Sequence, residues 1–261
     1  MAVSAWGNAQ SILGKGIDLQ MQVAVCRRLT GESCPFDGSE PSNLVDLVSA
    51  LGPTLGKIVI VGVGYNDFEQ TFAQSVEESV QALLQAGVTR IFWVTLREVR
   101  QPYVHMNDVL VTASKQHPQM TLVDWSTYSR DHPEWFQPDG IHLQGSGAVA
   151  MARLLRASLV QAFAPVITAS PPVATGHVGR PYFMRIVATG GTAPYRWRVA
   201  SGSLPSGLRI RTDGRITGRP TKSARDRFVV GVEDAHGFTA TLPVLLIIKA
   251  APTVPNTASQ R

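Results

Sequence analysis

Residues 57–67 read Lys-Ile-Val-Ile-Val-Gly-Val-Gly-Tyr-Asn-Asp. The continuous run of β-branched residues is typical of a strand that is buried on both faces. A similar run occupies residues 90–96, and each run is followed by an amphipathic helical pattern, over 72–86 and 103–115. Strands and helices that alternate in this way predict a parallel sheet with helices on both faces.

The rest of the first 165 residues extends this pattern. We expect further strands at 17–25 and 120–125, a short helix at 43–51 and a final helix at 145–163. The sequence therefore predicts an α/β domain over residues 1–165. Ligands of parallel sheets bind beyond the carboxyl ends of the strands, so the residues that follow 57–64 are the first candidates for a site.

Two short motifs carry residues that can do chemistry. Asn66 directly follows the buried strand, and Asp139-Gly140-Ile141-His142 precedes the last helix. A histidine titrates near neutral pH and can act as a base, and an acid three residues earlier can reach its imidazole within one turn. A side-chain amide can donate to a developing oxyanion. Taken singly, each motif is also typical of a plain turn.

Together with residues 143–147, Leu-Gln-Gly-Ser-Gly, which open the last helix, these motifs resemble the asparagine and Asp-x-x-His blocks of the SGNH (GDSL-type) hydrolases. The resemblance implies a flavodoxin-like three-layer fold with a parallel sheet, and a serine ester hydrolase. His142 would be the base, Asp139 its orienting acid and Asn66 an oxyanion donor, while Asp67 would brace the loop. Neither a metal nor an organic cofactor is implied.

Cys26 and Cys34 are the two cysteines of the chain. Their spacing, with Gly31 and Pro35 nearby, predicts a disulfide that closes a small loop; the alternative is two unrelated buried thiols. A disulfide would indicate an oxidising compartment and an exported protein. In the resemblance, residues 24–28 correspond to the block that gives a backbone N–H to the oxyanion, and Cys26 would take the usual glycine position.

Aromatic and basic residues flank the two motifs. Trp135 and Phe136 precede the Asp139 motif and are candidates for the substrate pocket, with core packing as the alternative. Arg97 and Arg100 follow the strand at 90–96 on the site side of the sheet. They could meet an anionic substrate or lie in a solvated loop.

The serine that leads the family's site residues is missing, because the chain contains no Gly-Asp-Ser. Residues 2–13 are predicted to be the helix that follows this serine. Ser4 is the substitute candidate, although it stands one turn too late and lacks the Gly-Asp frame. We expect a start codon placed too late, with a signal peptide, a central strand and the nucleophile upstream. The sequence as it stands shows no signal peptide and no apolar run long enough for a membrane span.

Residues 166–250 have a different texture, rich in Gly, Thr, Val and Pro and without helical periodicity. Short strands are predicted at 182–188, 195–199, 227–233 and 239–248, as in a small all-β sandwich. The stretches at 178–182, 189–197, 202–208 and 214–220 resemble the immunoglobulin-like (cadherin-like) domains of bacterial surface proteins. The resemblance implies a structural or adhesive module. Residues 251–261 are predicted to be a disordered tail.

The net charge of +5 is unevenly distributed. Residues 1–165 carry 11 Lys and Arg against 15 Asp and Glu, and residues 166–250 carry 12 against 4. A basic face on the second segment could favour anionic polymers such as cell-wall glycans or nucleic acid, or could simply be solvated. Asp213 and Asp234 lie in turns and could suggest calcium, but acids are common in turns, and we expect no metal site.

These observations predict an exported serine ester hydrolase with an immunoglobulin-like module. Its substrates would be small acyl esters or acylated polysaccharides, and the basic module would associate with a cell wall or glycan surface. We expect a secreted or cell-surface protein, with no specific nucleic acid partner and no membrane span. The alternative is a non-catalytic surface or adhesion protein whose first domain is a degenerate relic.

Overall fold

The computed structural model describes residues 7–169 and 173–251. These residues divide into two compact units. Residues 7–14 and 19–158 belong to the first unit, and residues 15–18 and 159–251 to the second. Ser4 and the tail beyond residue 251 lie outside the described residues.

The first unit combines helices with a small sheet. Its helices are α1 (Gly7–Leu13), α2 (Leu44–Leu51), α3 (Phe72–Gln85), α4 (Gln101–Gln116), α5 (Trp125–Ser129) and α6 (Gly145–Phe163), the last of which continues into the second unit. Its strands are β1 (Ile58–Val61), β2 (Arg90–Val94) and β3 (Met120–Val123), and short 3-10 turns lie at 52–54, 69–71 and 133–135.

The three strands are parallel and lie in the order β1-β2-β3. Within β2, Ile91 and Trp93 share a core with side chains of α3 and α4. Phe92 and Val94 point to the other side and are also buried. The prediction of a strand buried on both faces is therefore correct for β2 after its first residue, Arg90, which is exposed. It is wrong for β1, where Ile58 is 45% exposed and only Val61 is buried.

The predicted strand at residues 17–25 is wrong. The segment alternates partly buried and exposed side chains, as a strand would, but it forms no ladder with another segment among the described residues. β1 pairs with β2 on one side and has no strand partner on its other side within the described part of the chain. Alternating burial predicts only which side chains face inward; a strand also needs a neighbour for its backbone groups.

The predicted strand at 120–125 is shorter than expected. It ends at Val123 because the side chain of Asp124 caps the next helix by accepting a hydrogen bond from the backbone N–H of Thr127 at 3.0 Å. Trp125 is therefore the first residue of α5. A carboxylate in this position satisfies a backbone donor that the helix itself leaves unpaired.

The second unit is a sandwich of two four-stranded sheets whose inner faces share one apolar core. Its strands are β4 (Val166–Ala169), β5 (Val173–His177), β6 (Tyr182–Thr189), β7 (Arg196–Ser201), β8 (Leu208–Ile210), β9 (Arg215–Gly218), β10 (Ala224–Glu233) and β11 (Thr239–Lys249). The sheet orders are β5-β11-β10-β7 and β4-β6-β9-β8. The four longest strands match the predicted ones, whereas the other four are too short to show a period in the sequence.

Asp234 is almost completely buried in a turn of this sandwich. Its Oδ1 accepts backbone N–H groups from His236 and Phe238 at 2.9 and 2.8 Å, and its Oδ2 accepts that of Thr192 at 2.9 Å. The carboxylate thus stabilises the turn. Across residues 7–169 and 173–251, no three His, Cys, Asp or Glu side chains are grouped as metal ligands would be.

Among the helices that the structure describes, none has both the length and the apolar character that crossing a membrane requires.

Candidate active site

The Asp139–His142 motif forms a tight turn directly before α6. The backbone N–H of Gly140 donates to the carbonyl of Gln137 at 2.9 Å, and Gly140 has a φ of 70°, which favours glycine. The turn is closed by the N–H of Gln137, which donates to the carbonyl of His142 at 2.7 Å. The motif is therefore held by its own backbone before its side chains are considered.

The two carboxylate oxygens of Asp139 have different roles. Oδ1 accepts the backbone N–H groups of Ile141 and His142 at 2.8 and 2.9 Å. Oδ2 lies 2.6 Å from Nδ1 of His142. A proton on Nδ1 then leaves Nε2 with its lone pair, which is the arrangement that a general base requires.

The environment of Asp139 favours its ionised form. The N–H groups of Ile141 and His142, and then the imidazole of His142, lower the pKa of this carboxyl to about 2. These bonds are made to the charged form, which is why they favour it. Asp139 therefore remains a carboxylate at neutral pH and can stabilise a protonated His142. The His142 side chain is 65% exposed, so Nε2 is open to an incoming proton donor.

Asn66 lies in the turn that follows β1. The N–H of Asp67 donates to the carbonyl of Gly64 at 3.0 Å, and Gly64 has a φ of 149°. A Cβ at Gly64 would lie 2.9 Å from a methyl of Leu96, so this close packing requires glycine. Asn66 itself is exposed. Its amide is available to a ligand at the carboxyl end of β1.

A loop that begins at the disulfide of Cys26 and Cys34 packs on this turn. Arg28 donates from Nε to the carbonyl of Asn66 at 2.8 Å, and its guanidinium lies 4.3 Å from the ring centre of Phe68. Cys26 has a φ of 63°, a conformation that favours glycine. Cys26 thus has a glycine-like backbone at the position that the SGNH resemblance assigns to a glycine donor.

Asp67 braces the same loop, as the sequence suggested. Its Oδ1 accepts the backbone N–H of Leu29 at 2.9 Å. Its Oδ2 is buried and has no hydrogen-bond partner among the described residues. Burial outweighs the N–H of Leu29 and the charge of Arg28, and it raises the pKa of Asp67 to about 6.

Arg97 connects the Asn66 turn to the Asp139 turn. The hydroxyl of Tyr65 accepts the backbone N–H of Arg97 at 2.6 Å. The Arg97 guanidinium donates to the carbonyl of Gly140 at 3.0 Å and to that of Arg130 at 3.4 Å. The two motifs, which are 73 residues apart from Asn66 to Asp139 in the sequence, therefore lie at the same end of the sheet.

This role of Arg97 was not predicted. The sequence placed Arg97 at a strand end on the site side, which suggested a substrate contact or a solvated loop. In the structure the guanidinium contacts other parts of the protein. Besides the two carbonyls, it lies 4.2 Å from the ring centre of Phe136. The position after β2 was a usable signal, but the partner carbonyl was not visible in the sequence.

The aromatic candidates differ in exposure. Phe136 is only 3% exposed and packs between Arg97 and Trp125, so it supports the turn and presents little surface to a substrate. Trp135 is partly exposed, with His132 stacked 3.8 Å away on its ring and Trp125 at 5.9 Å.

Trp135 also lines a cavity of about 520 Å³ at the start of α6. The residues that line this cavity do not include Asn66, Asp139 or His142. Gly147 allows α6 to pack closely against the backbone of Trp135, since a Cβ at Gly147 would lie 2.2 Å from the carbonyl oxygen of Trp135.

The two domains are similar to different groups of known proteins. Residues 164–249 match the family model described as "Putative Ig domain". The second domain is immunoglobulin-like. The matched range agrees closely with β4 to β11.

Curated relatives match a different share of the chain. "Putative peptidoglycan O-acetyltransferase YrhL" of Bacillus subtilis (strain 168) is 37% identical over 100 residues, which are 38% of this chain and 15% of the relative. "Putative O-acetyltransferase SAS0844" of Staphylococcus aureus (strain MSSA476) is 29% identical over 133 residues, 46% of this chain and 21% of the relative. "O-acetyltransferase OatA" of Staphylococcus aureus (strain NCTC 8325 / PS 47) is 31% identical over 100 residues, 38% of this chain and 16% of the relative.

The chain spans about a fifth or less of the length of these relatives. The match that takes up 46% of the chain is longer than everything from residue 164 onward, so it includes residues of the first domain. The similarity of the first domain therefore points to acyl-transferring enzymes, and the name of one relative specifies peptidoglycan. The predicted activity, an ester hydrolase, is more specific than the activity class that these relatives support.

Proposed function

We propose that residues 1–165 are an SGNH-type acyl-transfer domain that acts on acyl esters of a cell-wall polysaccharide at the cell surface. The observation that carries the proposal is the His142–Asp139 pair, whose Nε2 is open to solvent while Nδ1 lies 2.6 Å from a carboxylate with a depressed pKa. Arg97 ties the turn of this pair to the residue next to Asn66. A base, its orienter and a neutral amide donor are what acyl transfer through a serine requires.

In the proposed mechanism a serine hydroxyl attacks the ester carbonyl while Nε2 of His142 takes its proton. Asp139 stabilises the imidazolium, and the amide of Asn66, with the backbone N–H of Cys26, donates to the oxyanion. His142 then gives the proton to the leaving alcohol, which departs and leaves an acyl-serine. An oxygen nucleophile, deprotonated by His142, releases the acyl group and restores the serine.

The second nucleophile decides the reaction class. Water makes the domain an ester hydrolase, as the sequence suggested, and a sugar hydroxyl makes it an O-acetyltransferase. The names of the relatives support an acetyl group and a cell-wall acceptor. The serine remains to be assigned, since the chain has no Gly-Asp-Ser and the candidate Ser4 lies outside the described residues.

The test is covalent labelling of the full-length protein with a fluorophosphonate, followed by peptide mapping, together with turnover of p-nitrophenyl acetate. We expect one labelled serine, and loss of labelling and turnover in His142→Ala. His105→Ala is the matched control, because His105 is exposed and paired with a carboxylate, that of Glu69, outside the site. Absence of labelling and turnover in the unmodified protein would support the non-catalytic surface protein instead.

A second measurement separates hydrolase from transferase. Acetyl donor is supplied with and without a chito-oligosaccharide, and the sugar is analysed by mass spectrometry. A sugar heavier by one acetyl group identifies a transferase, whereas free acetate with unmodified sugar identifies a hydrolase.

A further inference from the structure

The outer face of the sheet β4-β6-β9-β8 exposes both apolar and basic side chains. Along β6, Met184 and Ile186 are buried in the core. Phe183, Arg185 and Val187 alternate with them and stand on the outer face, where Phe183 is 63% exposed and Val187 40%. Phe183, near the start of β6, and Val187 thus place apolar side chains on the same strand face as Arg185.

Three arginines form one row across this face. Arg185 stands directly opposite Arg215 in the pairing of β6 with β9. The backbone N–H of Arg211, just after β8, donates to the carbonyl of Arg215 at 2.8 Å and continues the pairing of β8 with β9. Neighbouring strands are about 4.8 Å apart, so the members of this arginine row (Arg185, Arg211 and Arg215) follow one another across the sheet at about that backbone spacing.

The row has little counter-charge within the described residues. Asp213 is the acid that forms an ion pair with it there, at 3.5 Å from Nε of Arg215. Like charges that face each other across a sheet destabilise it. A second anion placed over the row would relieve this repulsion, and the fork of a guanidinium is suited to carboxylate or phosphate groups.

Phe183 lies in the adjacent row, opposite Thr217, and Arg209 faces Thr217 from the other side. The guanidinium of Arg215 is 6.0 Å from the Phe183 ring centre. An apolar ring therefore stands beside a line of cations. The C–H face of a sugar can lie on such a ring while its acidic substituents reach the arginines.

We infer that this arginine face, consisting of Phe183, Arg185, Arg209, Arg211 and Arg215, binds an anionic glycan that carries carboxylate groups. The inference rests on the proposed function in one respect, since the bound polymer would be the one that carries the acyl groups. Single-stranded nucleic acid is less suited to the face, because proteins stack successive bases on several aromatic rings, and Phe183 is the one large aromatic residue described as exposed in this domain.

The experiment measures binding of polygalacturonate, a carboxylate-bearing glycan, to the full-length protein by titration calorimetry at several salt concentrations. The variant combines Arg185→Gln, Arg211→Gln and Arg215→Gln. The matched control removes the same charge from the other sheet with Arg196→Gln, Arg198→Gln and Arg225→Gln, all exposed residues of β7 and β10.

We expect salt-sensitive binding to the unmodified protein, a loss of about tenfold or more in the row variant, and a much smaller loss in the control. Phe183→Ala should weaken binding of the glycan without reducing the salt dependence of that binding. Equal losses in the two triple variants would show that net charge alone is responsible and would overturn the inference, as would absence of binding. Tighter binding of an oligothymidylate than of the glycan would overturn the assignment to glycans.

The outcome is independent of catalysis, because the titration needs no turnover. An inactive protein that binds polygalacturonate through the arginine row contradicts the proposed function and leaves this inference standing. Thermal unfolding of each variant identifies any loss of binding that comes from a loss of structure.

Discussion

Arg97 donates a hydrogen bond of 3.0 Å to the carbonyl oxygen of Gly140, which is the central residue of the Asp139–His142 turn. The backbone N–H of the same arginine donates to the hydroxyl oxygen of Tyr65, next to Asn66. Burial raises the pKa of Tyr65 to about 12, so its side chain stays a neutral phenol. Arg97 therefore links the two motifs, and Tyr65 and Ile141 also pack against the same apolar core.

Arg97→Ala should loosen the turn. We expect a fall of about 1–3 kcal/mol in the free energy of unfolding, because the bonds of a charged donor to a partly buried and an exposed carbonyl are lost. Amide exchange at Ile141 and His142 should accelerate, as measured by NMR. Arg100→Ala, an exposed arginine of the same loop, is the control, and a similar loss there would contradict the role of Arg97. Arg97→Lys should retain only part of the stability that Arg97 provides, since an ammonium lacks the planar, forked donors of a guanidinium.

Asn66→Ala should reduce turnover by about 100- to 1000-fold if its amide donates to the oxyanion. The stability should hardly change, because the side chain is exposed. Steady-state kinetics with p-nitrophenyl acetate measures the effect, which should fall on kcat and not on KM. Gln70→Ala removes an exposed amide a few residues away and should leave kcat as it was. A rise in KM with an unchanged kcat would indicate a binding role for Asn66.

The depressed pKa of Asp139 predicts a pH dependence of stability. Its folded value, about 2, lies below the unfolded value of about 3.9. The stabilisation is therefore complete above pH 4 and is lost as the pH falls towards 2. Denaturant unfolding between pH 2 and 5 should show the unmodified protein losing stability relative to Asp139→Asn. Parallel curves for the two proteins would contradict the prediction.

Asp67 should have the opposite effect. Its folded pKa is about 6, above the unfolded value, so the folded state binds the proton more tightly. Stability should fall as the pH rises from about 4 through 6, by about 1–2 kcal/mol after allowance for solvent screening. The measurement is the difference between unfolding curves of the unmodified protein and Asp67→Asn over this range. A difference that does not vary with pH would show that burial leaves this carboxyl unaffected.

The disulfide should matter to stability and to the site. A combined Cys26→Ser and Cys34→Ser variant should lose about 2–3 kcal/mol of unfolding free energy, as expected for a short closed loop. Because this loop holds Arg28 against the carbonyl of Asn66, turnover should fall as well. Unfolding with and without reductant provides the control, since the reduced protein should match the variant. An unchanged kcat would show that the loop keeps its position without the bridge.

The sequence predicted local relationships well and distant ones poorly. β1 and β2 are predictable from their continuous apolar runs and α6 from its helical period, although β1 has only four residues and is mostly not buried. The Asp139–His142 pair is predictable because both residues lie in one turn. The contact between Arg97 and Gly140 joins residues 43 positions apart, and nothing local indicates it. The segment 17–25 shows why alternation alone misleads, since it has the burial pattern of a strand without a partner to pair with.

One carboxylate both shapes the Asp139 turn and orients its histidine, so the pose of His142 is specified within four consecutive residues. None of these three hydrogen bonds involves the nucleophile. Loss of the serine alone would therefore leave the hydrogen bonds that orient His142 in place. An intact Asp-x-x-His turn is therefore not enough to identify a working enzyme. The serine has to be identified as well.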